Sequence, residues 1–412
     1  MKFEYEQSVE RGVALQELKE RWRPHPQVEV VPLDRAFGRV AAHEVHAVCS
    51  LPVKRSSKRD GIAVRAADFV QGAPDTRAWR RGIDYAQADT GDDFPDAFDA
   101  VIAVEDIVFD EAGGVSIIND ALEVLPGAGV NPCGSIVREG SMVVSRHRRL
   151  APESVAAAAM GGLAQIPVFA RPKVAYLPTG SELVSWGSAP KRGQNIEVNS
   201  LMVAGMLAEW GAECFCYPVA CDDEVVIDRA LDQALEYADI VIVNGGSSRG
   251  EEDFNARLLQ RRGTYFRHGV RAVPGRPVGM ALVEGKPVVN VPGPMLAAFL
   301  CMDWLIRGLV AHFYDVPMPR RQKVRATITE SVAKPKGFER LIRVSLAPGA
   351  EGGCTCSLLS AGLDVPGTVA ASDAMLVLPI ESEGVQAGAV VEVELLRPWE
   401  AVRASWDAEV SA

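Results

Sequence analysis

The sequence lacks an apolar run long enough to span a membrane without interruption. Its longest apolar stretch, residues 295–314, contains Asp303 and Arg307 and at about 20 residues predicts a buried helix. Residues 1–22 alternate acidic and basic side chains and have no apolar centre of the kind that a signal peptide needs. We therefore expect a cytoplasmic protein that does not associate with membranes.

Positive charge is in deficit, and cysteine is sparse. The chain has 43 Lys and Arg against 54 Asp and Glu, a net charge of −11, which argues against a nucleic-acid partner or a lipid surface. Eight cysteines in 412 residues do not form a disulfide framework. The cluster Cys214, Cys216 and Cys221 and the pair Cys354 and Cys356 raise the hypothesis of a structural metal. However, no Cys-x-x-Cys or histidine cluster accompanies them, and thiols are expected.

The length of 412 residues and a hydrophobic share of 48% predict a globular protein with more than one domain. Residues 8–21 have helical periodicity, and a stretch rich in Asp, Gly and Pro interrupts the N-terminal part of the chain. Beyond Pro319 the pattern alternates as in antiparallel strands. The predicted domains are a discontinuous N-terminal α/β domain (1–50 with 141–170), an inserted mostly-β domain (51–140), a doubly wound parallel-sheet α/β domain (171–320) and a small C-terminal β-barrel (321–400).

The α/β domain is predicted from three short apolar runs, VAYL, IVIV and PVVNV, each followed by a turn that contains glycine. Asn199 and Ser200 offer N-caps to a helix that ends near Gly211, and residues 227–237 form a second helical pattern. Strands that alternate with helices in this way favour a parallel sheet with helices on both faces.

Three loops of this domain are candidates for a ligand site: residues 178–182, 245–253 and 292–294. In the second loop, Gly245 and Gly246 let the backbone approach a ligand, and Ser248 offers a hydroxyl to a phosphate. A tight turn without a ligand also needs glycine, and this alternative stays open.

Carboxylates accompany two of these loops. Asp253 ends the second loop, residues 245–253. It is a candidate ligand of magnesium, or an acid in the first turn of a helix. Thr179 and Gly180 in LPTGSEL are possible phosphate or sugar contacts, with Glu182 as a further acid. The basic run VKRSSKRDG at 53–61 is read either as solvated surface or as an anion-binding loop.

In order along the chain, these loops resemble the motifs of the MoeA family, which includes the E domain of gephyrin. The sequences GGSSRGEED, LPTGSELV and GQNIEVNS are similar to the family's GGxSxGxxD, STGDELV and GQxxDSNS. RDGIAVRAADF, VPGRP and VPGPMLAA are similar to MDGYAVRxxD, KPGKP and LPGNPVSA. The resemblance runs from residue 8 to residue 396.

This resemblance implies the insertion of molybdate into adenylated molybdopterin with release of AMP. It also implies a four-domain homodimer whose active site lies between subunits, and a client molybdoenzyme or an adenylyltransferase as further partner. The catalytic acids implied are Asp60, Glu182, Asp222 and Asp253, of which the last three would hold magnesium. The implied contacts to molybdopterin and molybdate are Thr179, Gly180, Asn199, Gly245, Gly246, Ser248, Gly250, Pro274, Gly275, Arg276, Pro292, Gly293 and Arg343.

The chain departs from the family where that family has charged residues. Val273 replaces the lysine before the Pro-Gly-Lys-Pro turn, a second lysine position falls near Gly269, and Ile136 replaces the acid of RRRGED. An alternative function is therefore a catalytically impaired carrier or scaffold that binds molybdopterin. A further hypothesis is that His268, Arg271 and the basic loop of the dimer mate restore part of the positive field. The resemblance leaves open whether the metal is molybdenum or tungsten.

Overall fold

The structure of the protein is a computed structural model. It describes residues 8–110, 114–119, 121–221, 223–245, 254–333, 336–349, 353–359, 367, 369 and 371–410. The chain folds into two compact units, one of Val28–Phe169 and one of Met1–Gln27 with Ala170–Ala412.

Helix α1 (Arg11–Arg21) belongs to the larger unit. Its Leu18 is fully buried, and the carboxylate of Glu17 accepts hydrogen bonds of 2.7 and 2.9 Å from Arg267. Arg11 forms a bidentate ion pair with Glu339 at 2.5 and 2.7 Å. The sequence groups α1 with residues 141–170, whereas the helix packs with the part of the chain that begins at Ala170. The division into four domains stays a prediction.

The smaller unit is built mainly from short strands. Its 3₁₀ turns are Leu33–Arg35, Ala66–Phe69 and Val104–Asp106. Its strands and one helix are β1 (Val28–Pro32), β2 (Val45–His46), β3 (Ser56–Ser57), β4 (Gly61–Val64), β5 (Ala86–Ala88), β6 (Ala100–Ala103), β7 (Ile107–Phe109), β8 (Val115–Ile117), β9 (Val130–Asn131), β10 (Met142–Val144), α2 (Pro152–Met160) and β11 (Gln165–Phe169).

Strand pairing in the smaller unit brings its two ends together. β1 pairs antiparallel with β11, and β2 pairs with β10, around a core that includes Val31, Leu150 and Ile166. β4 lies between β5 and β6 and forms a separate core around Ile62 and Ile102. The middle of the unit is therefore a mostly-β segment with a hydrophobic core of its own.

The α/β part of the larger unit follows. Its strands are β12 (Lys173–Pro178), β13 (Leu183–Ser185), β14 (Asn195–Glu197), β15 (Glu213–Cys216), β16 (Ile240–Asn244), β17 (Tyr265–His268), β18 (Ala272–Val273), β19 (Gly279–Val283) and β20 (Lys286–Val291). Its helices are α3 (Asn199–Trp210), α4 (Glu224–Tyr237), α5 (Phe254–Arg262), α6 (Met295–Cys301) and α7 (Arg307–Phe313), with a π-helical turn at Met302–Ile306 between the last two.

The main sheet has the strand order β15-β12-β16-β20-β19-β17. The three apolar runs are β12, β16 and β20, and they are neighbouring parallel strands as predicted. β19 is antiparallel to both of its neighbours. A two-residue turn joins it to β20, and Glu284 and Gly285 in this turn have φ of 51° and 77°, as a type I′ hairpin requires.

Helices cover both faces of this sheet. Leu177 and Val243 share a core with Leu231 of α4 and Leu258 of α5. Because successive strand residues point to opposite faces, Tyr176 lies on the other face, where α3 packs with α6 and α7. The doubly wound architecture predicted for this region is confirmed.

The predicted apolar helix is a core element. Within the described residues, Met295–Phe313 is long and apolar enough to cross a membrane, but 78% of its apolar window is buried inside the fold. Asp303 in this helix pairs with Arg321 at 2.6 Å and with Arg307 at 3.5 Å. Both faces and the charged side chains of the helix therefore have partners within the protein.

The C-terminal part forms a closed barrel. Its elements are β21 (Lys323–Ile328), β22 (Val332–Ala333), β23 (Glu339–Pro348), β24 (Cys354–Leu358), β25 (Ala374–Leu378), β26 (Gly384–Val385), β27 (Val390–Leu395) and α8 (Trp399–Val410). Pairing runs β23-β24-β21-β27-β25 and returns from β25 to β23, as predicted. The tail beyond Pro398 buries Val402 completely in the barrel core.

We predict that Leu231→Ala lowers the free energy of unfolding by about 2 to 5 kcal/mol, because it leaves a cavity under the sheet. Leu231 is fully buried, whereas Val225 on the same helix is 66% exposed. Val225→Ala is therefore the matched control, with an expected change within about 0.5 kcal/mol. Urea unfolding followed by circular dichroism measures both, and equal losses in the two variants would contradict the packing described.

Candidate functional site

The strands β12, β16 and β20 end side by side, and their carboxyl ends form one edge of the main sheet, the polar edge. The Thr179 N–H donates to the Asn244 carbonyl at 2.8 Å, and the Gly245 N–H donates to the Val291 carbonyl at 3.1 Å. The turns that follow the three strands therefore lie side by side. Open parallel sheets bind their ligands at such an edge, and this is the edge that the sequence predicts.

Gly245 has a structural reason to be glycine at this edge. Its φ is +124°, and a Cβ atom there would lie 2.5 Å from the carbonyl oxygen of Thr179, far closer than two nonbonded atoms approach. The first glycine of GGSSRGEED therefore lets two turns pack together. This requirement holds with or without a ligand.

Asn244 joins the three turns through a buried network. Its Oδ1 accepts hydrogen bonds from Tyr176 Oη at 2.8 Å and from Asn199 Nδ2 at 2.9 Å. Its Nδ2 donates to the carbonyl of Pro292 at 2.8 Å. Asn244 is 3% exposed, and burial of an amide is tolerated only when its groups are paired in this way. The side chain that ends β16 thus fixes the turn after β20 and the start of α3.

Asn199 does not cap α3, contrary to the prediction from the sequence. It is the first residue of the helix, and its Nδ2 donates to Asn244 and, at 2.8 Å, to the Gly293 carbonyl. Glu197 instead binds a free N–H group at the start of the helix, since its Oε1 accepts a hydrogen bond of 2.9 Å from the Ser200 N–H. A buried amide partner is available to Asn199 in the tertiary structure, and that interaction replaces the local cap.

Two further asparagines complete this edge. Asn255 Nδ2 donates to Thr179 Oγ1 at 3.1 Å and to the Gly245 carbonyl at 2.9 Å. Asn290 is oriented to donate to the same carbonyl at 2.9 Å. Among the described residues, Oδ1 of Asn199 and Oδ1 of Asn255 are buried acceptors without a donor. A donor for either atom has to come from outside the described residues.

The predicted site residues are only partly within the described chain. Thr179, Gly180 and Pro292 are buried at the edge, and Gly293 is exposed beside them. Glu182 is exposed, and its carboxylate lies against Gly180, where an added Cβ would be 2.9 Å from Oε2. The predicted residues outside the described part of the chain are Asp222, Gly246, Ser248, Gly250 and Asp253.

Of the three predicted magnesium ligands, only Glu182 therefore lies in the described part of the chain. Across the part of the chain that the structure describes, no group of three or more His, Cys, Asp or Glu side chains could hold a metal ion. A hydrated magnesium ion needs only one or two protein carboxylates together with phosphate oxygens. The exposed carboxylate of Glu182 is of the chemical type that such an ion binds.

The turn from Val273 to Arg276 packs next to the barrel. β18 pairs with β23, and the Arg276 guanidinium lies over the Phe338 ring at 4.6 Å. Gly275 has a φ of +99° and packs against the thiol of Cys301, which would be 3.3 Å from an added Cβ. The stacking holds the cation of Arg276 in place on a rigid surface.

Arg343 is a buried cation on the barrel strand β23, where it is 4% exposed. It lies on the same face of this strand as Leu341, and Leu341 packs with Leu296 and Leu300 of α6. Helix α6 follows the turn at Pro292 directly. The face of the barrel that carries Arg343 therefore packs against α6, the helix that begins beside the candidate site.

Two other residues that were predicted to supply positive charge, His268 and Arg271, are respectively neutral and already paired. Burial lowers the pKa of His268 to about 4, so the imidazole is uncharged at neutral pH, and its predicted share in a positive field is not supported. Arg271 forms an ion pair with Glu10 at 3.1 Å. Gly269, near a lysine position of the family, has a φ of +88°, which disfavours lysine there.

Asp60 lies in the smaller unit, in an exposed loop. Its carboxylate accepts hydrogen bonds from the backbone N–H of Thr90 at 2.7 Å and from its hydroxyl at 2.8 Å. These two bonds lower the pKa of Asp60. The residue lines an open cavity of about 750 Å³ that also contacts Trp79, Tyr85 and Arg81. The neighbouring Gly61 has to be glycine, because a Cβ there would lie 1.9 Å from the Ile102 carbonyl oxygen.

The basic loop before Asp60 is mostly exposed. Lys54, Lys58 and Arg59 are exposed, whereas Arg55 lies over the Phe94 ring at 5.4 Å and faces Asp96 at 3.7 Å. Three of the four cations thus remain accessible to an anion. The prediction of an anion-binding loop stays a prediction.

Comparisons with known proteins agree with this architecture along most of the chain. Models of the MoeA N-terminal region (domain I and II), a probable molybdopterin binding domain and the MoeA C-terminal region (domain IV) match residues 8–162, 175–312 and 325–396. Two crystal structures of the molybdopterin biosynthesis MoeA protein of Pyrococcus horikoshii have TM-scores of 0.79 and 0.75 at 26% and 25% identity. They cover 95% and 94% of this chain, and this chain covers all of theirs.

Sequence relatives are similar over the same range. The molybdopterin molybdenumtransferase 2 of Mycobacterium tuberculosis is 31% identical over 341 residues, which are 77% of this chain and 82% of the relative. The molybdopterin molybdenumtransferase of Haemophilus influenzae is 28% identical over 301 residues, 70% of this chain and 74% of the relative. The fold and the polar edge thus define a multidomain α/β protein with a molybdopterin-binding type of domain. The chain belongs to the MoeA family.

The sequence motifs do not predict the buried polar network. Its members outside the prediction are Tyr176, Glu197, Asn244, Asn255 and Asn290. One signal was present, because Asn244 and Asn290 are lone amides in apolar strand sequences, IVIVN and PVVNV. A polar side chain inside a buried strand has to be paired. The two amides therefore predict a buried hydrogen-bond network at the ends of these strands.

We predict that Thr90→Val raises the pKa of Asp60 while leaving it below its ordinary value. The variant removes the hydroxyl donor but keeps the backbone N–H, which is the larger cause of the lowered pKa. Carboxyl ¹³C NMR during a pH titration measures the change.

Asp75 is the internal control, since Arg77 holds its pKa at about 2 independently of Thr90. Because the folded pKa of Asp60 is lowered, its contribution to stability is present above the ordinary pKa and is lost as the pH falls through the lowered one. An unchanged Asp60 titration would show that the Thr90 hydroxyl does not bond the carboxylate in solution.

Proposed function

We propose that the protein takes part in molybdenum cofactor biosynthesis, where it inserts molybdate into adenylated molybdopterin and AMP is released. The observation that carries this proposal is the buried asparagine network at the carboxyl ends of β12, β16 and β20, in a chain of the MoeA family. The relatives named above are called molybdopterin molybdenumtransferases. The proposal also makes the protein a transferase that works in the cytoplasm.

In this proposal the three turns hold the pterin and its phosphate. Thr179, Gly180 and Gly245 place hydroxyl and backbone groups at the edge, and Gly246, Ser248 and Gly250 are proposed to continue the phosphate contacts. The free acceptor atoms of Asn199 and Asn255 suit N–H donors of a pterin ring. A rigid and paired network limits the entropy that ligand binding costs.

Two arginines are proposed to supply positive charge near molybdate. Arg276 follows Pro274 and Gly275 in the turn where the family has Lys in the Pro-Gly-Lys-Pro sequence, and Arg343 is buried on the barrel face towards α6. Guanidinium groups bind planar or tetrahedral oxyanions with two parallel hydrogen bonds. They therefore offset the loss of the lysine at Val273 better than a neutral side chain does.

Acids complete the proposed machinery. Glu182, with Asp222 and Asp253, is proposed to bind magnesium, and Asp60 is proposed as a further catalytic acid. When bound, the ion would neutralise charge on the phosphoanhydride that is broken. The exposed Glu182 carboxylate beside Gly180 fits an ion that keeps several of its waters.

The proposal includes a homodimer, as the family resemblance implies. In such a dimer the Asp60 segment of one subunit would complete the site of the other. Pro292 and Gly293 would stay with the molybdopterin of their own subunit. A client molybdoenzyme or an adenylyltransferase is the proposed partner for receiving or supplying the pterin.

The test incubates the purified protein with adenylated molybdopterin, magnesium and molybdate and follows AMP release and metal incorporation. We predict molybdate-dependent AMP release, and a decrease on the order of a hundredfold in Arg343→Met, because one cation would be lost from a water-poor site. Arg325→Met is the matched control, since Arg325 is exposed on β21 of the same barrel.

Three outcomes separate the functions. Turnover that falls in Arg343→Met but not in Arg325→Met supports the transferase. Tight binding of the pterin without AMP release would instead identify a carrier, and neither binding nor release would identify a scaffold. Unfolding midpoints of both variants show whether a lost activity is only a lost fold.

A further inference from the structure

Two cysteines form a close pair on the edge strand of the main sheet. Cys214 and Cys216 lie on β15, which pairs only with β12 in the described sheet, and their side chains point to the same face. Their Sγ atoms are 3.6 Å apart. Cys216 is exposed, and Cys214 is half-buried. The pair is thus accessible from solvent at an edge where the strand has room to adjust.

A metal does not explain this pair. Zinc sites in proteins use three or four ligands from Cys, His, Asp or Glu. No group of three such side chains with metal-binding geometry occurs among the residues that the structure describes. Two thiols alone are better suited to covalent sulfur chemistry.

The two thiols differ in their chemistry. Cys216 is the exposed thiol of the pair, and its hydrogen bond with Cys214 lowers its pKa, so it forms a thiolate more readily than Cys214 does. The same contact, together with burial, raises the pKa of Cys214, which keeps its proton. A thiolate is the nucleophile in thiol–disulfide exchange, and a neighbouring thiol resolves the intermediate.

We propose that Cys214 and Cys216 form a thiol–disulfide exchange pair that reacts with low-molecular-weight disulfides such as oxidised glutathione. Cys216 Sγ attacks one sulfur of the disulfide, which gives a mixed disulfide and releases one glutathione thiolate. Cys214 then gives its proton to water, and its sulfur attacks Cys216 Sγ and releases the second glutathione. The pair loses two electrons and two protons, and oxidised glutathione is reduced to two thiols.

The strand geometry permits a disulfide, and the exposure of Cys216 favours its reduction. Residues i and i+2 of a strand have Cα atoms roughly 6.6 Å apart, near the upper end of the range found in disulfides. Strained and exposed disulfides are the more easily reduced ones. The pair is therefore suited to repeated oxidation and reduction rather than to permanent cross-linking.

The pair also adjoins the candidate site. Cys216 is the register partner of Tyr176 on β12, and the pKa of the Tyr176 hydroxyl is raised by burial first and then by Glu197 and the two thiols. Tyr176 in turn bonds Asn244 and Glu197. Oxidation of the pair would thus occur beside the network that holds the three turns. The exchange chemistry itself does not depend on the proposed transferase reaction.

The chain provides a matched internal control in its second Cys-x-Cys sequence. Cys354 and Cys356 lie on β24, where Cys356 is fully buried in the barrel core. Burial raises the pKa of Cys356 to about 11 and also raises that of Cys354. The same spacing is therefore present with one thiol fully buried and with both pKa values raised.

The experiment treats the full chain with oxidised glutathione and follows each cysteine by peptide mass mapping. We expect the peptide with Cys214 and Cys216 to lose two hydrogen atoms, at least about tenfold faster than the peptide with Cys354 and Cys356, because the thiolate fraction differs. Dithiothreitol should reverse the change. Equal rates for the two peptides, or no reaction of the first, would overturn the proposal.

Two variants test the order of the steps. Cys214→Ser should trap a stable mixed disulfide on Cys216, because the resolving thiol is missing. Cys216→Ser should leave Cys214 reduced over the same time. Adducts that form on Cys214 in the second variant but not on Cys216 in the first would contradict the assigned roles, and circular dichroism shows that both variants are folded.

Discussion

The buried amide of Asn244 is the interaction on which the candidate site depends. Three parallel strands end at one edge, and each must turn there, which leaves peptide groups near the core that need partners. Asn244 accepts from Tyr176 and Asn199 and donates to the Pro292 carbonyl. One side chain therefore links β12, the start of α3 and the turn after β20. Loss of such a buried amide would leave several groups unpaired at about 1 to 3 kcal/mol each.

This constraint explains why the edge is polar and yet rigid. Asn255 and Asn290 repeat the arrangement around the Gly245 carbonyl, and close packing of the turns excludes a side chain at Gly245. The network is almost complete in the described chain, apart from the acceptor atoms of Asn199 and Asn255. Two buried acceptors beside the turns are thus left for a donor that the described residues do not supply. The proposed place of the pterin follows from this property.

The fold could be predicted from the sequence to a large extent because periodicity reports burial. The apolar runs of β12, β16 and β20, the mostly-β middle segment and the C-terminal barrel have simple alternating or continuous hydrophobic patterns. The antiparallel β19 was missed, since its direction depends on the short turn at Glu284 and Gly285. The burial of Val402 in the barrel was missed because it depends on long-range packing.

The site was predictable at the level of its turns, but not at the level of its hydrogen bonds. Asn199 was expected to act locally as a helix cap, whereas Asn244, distant in sequence, binds its side chain. His268 was expected to be a cation, but the pKa of a histidine depends on burial, which its sequence neighbours do not reveal. Side-chain partners across a sheet are set by strand order and register, and neither is written in a local motif.

The most direct test of the account is a crystal structure of the protein with adenylated molybdopterin. We predict that the pterin phosphate lies at the turns that begin at Thr179, Gly245 and Pro292, with a ligand donor on the Asn255 or Asn199 amide oxygen. Binding of the pterin only in the cavity beside Asp60 in the smaller unit, with the three turns free, would contradict it.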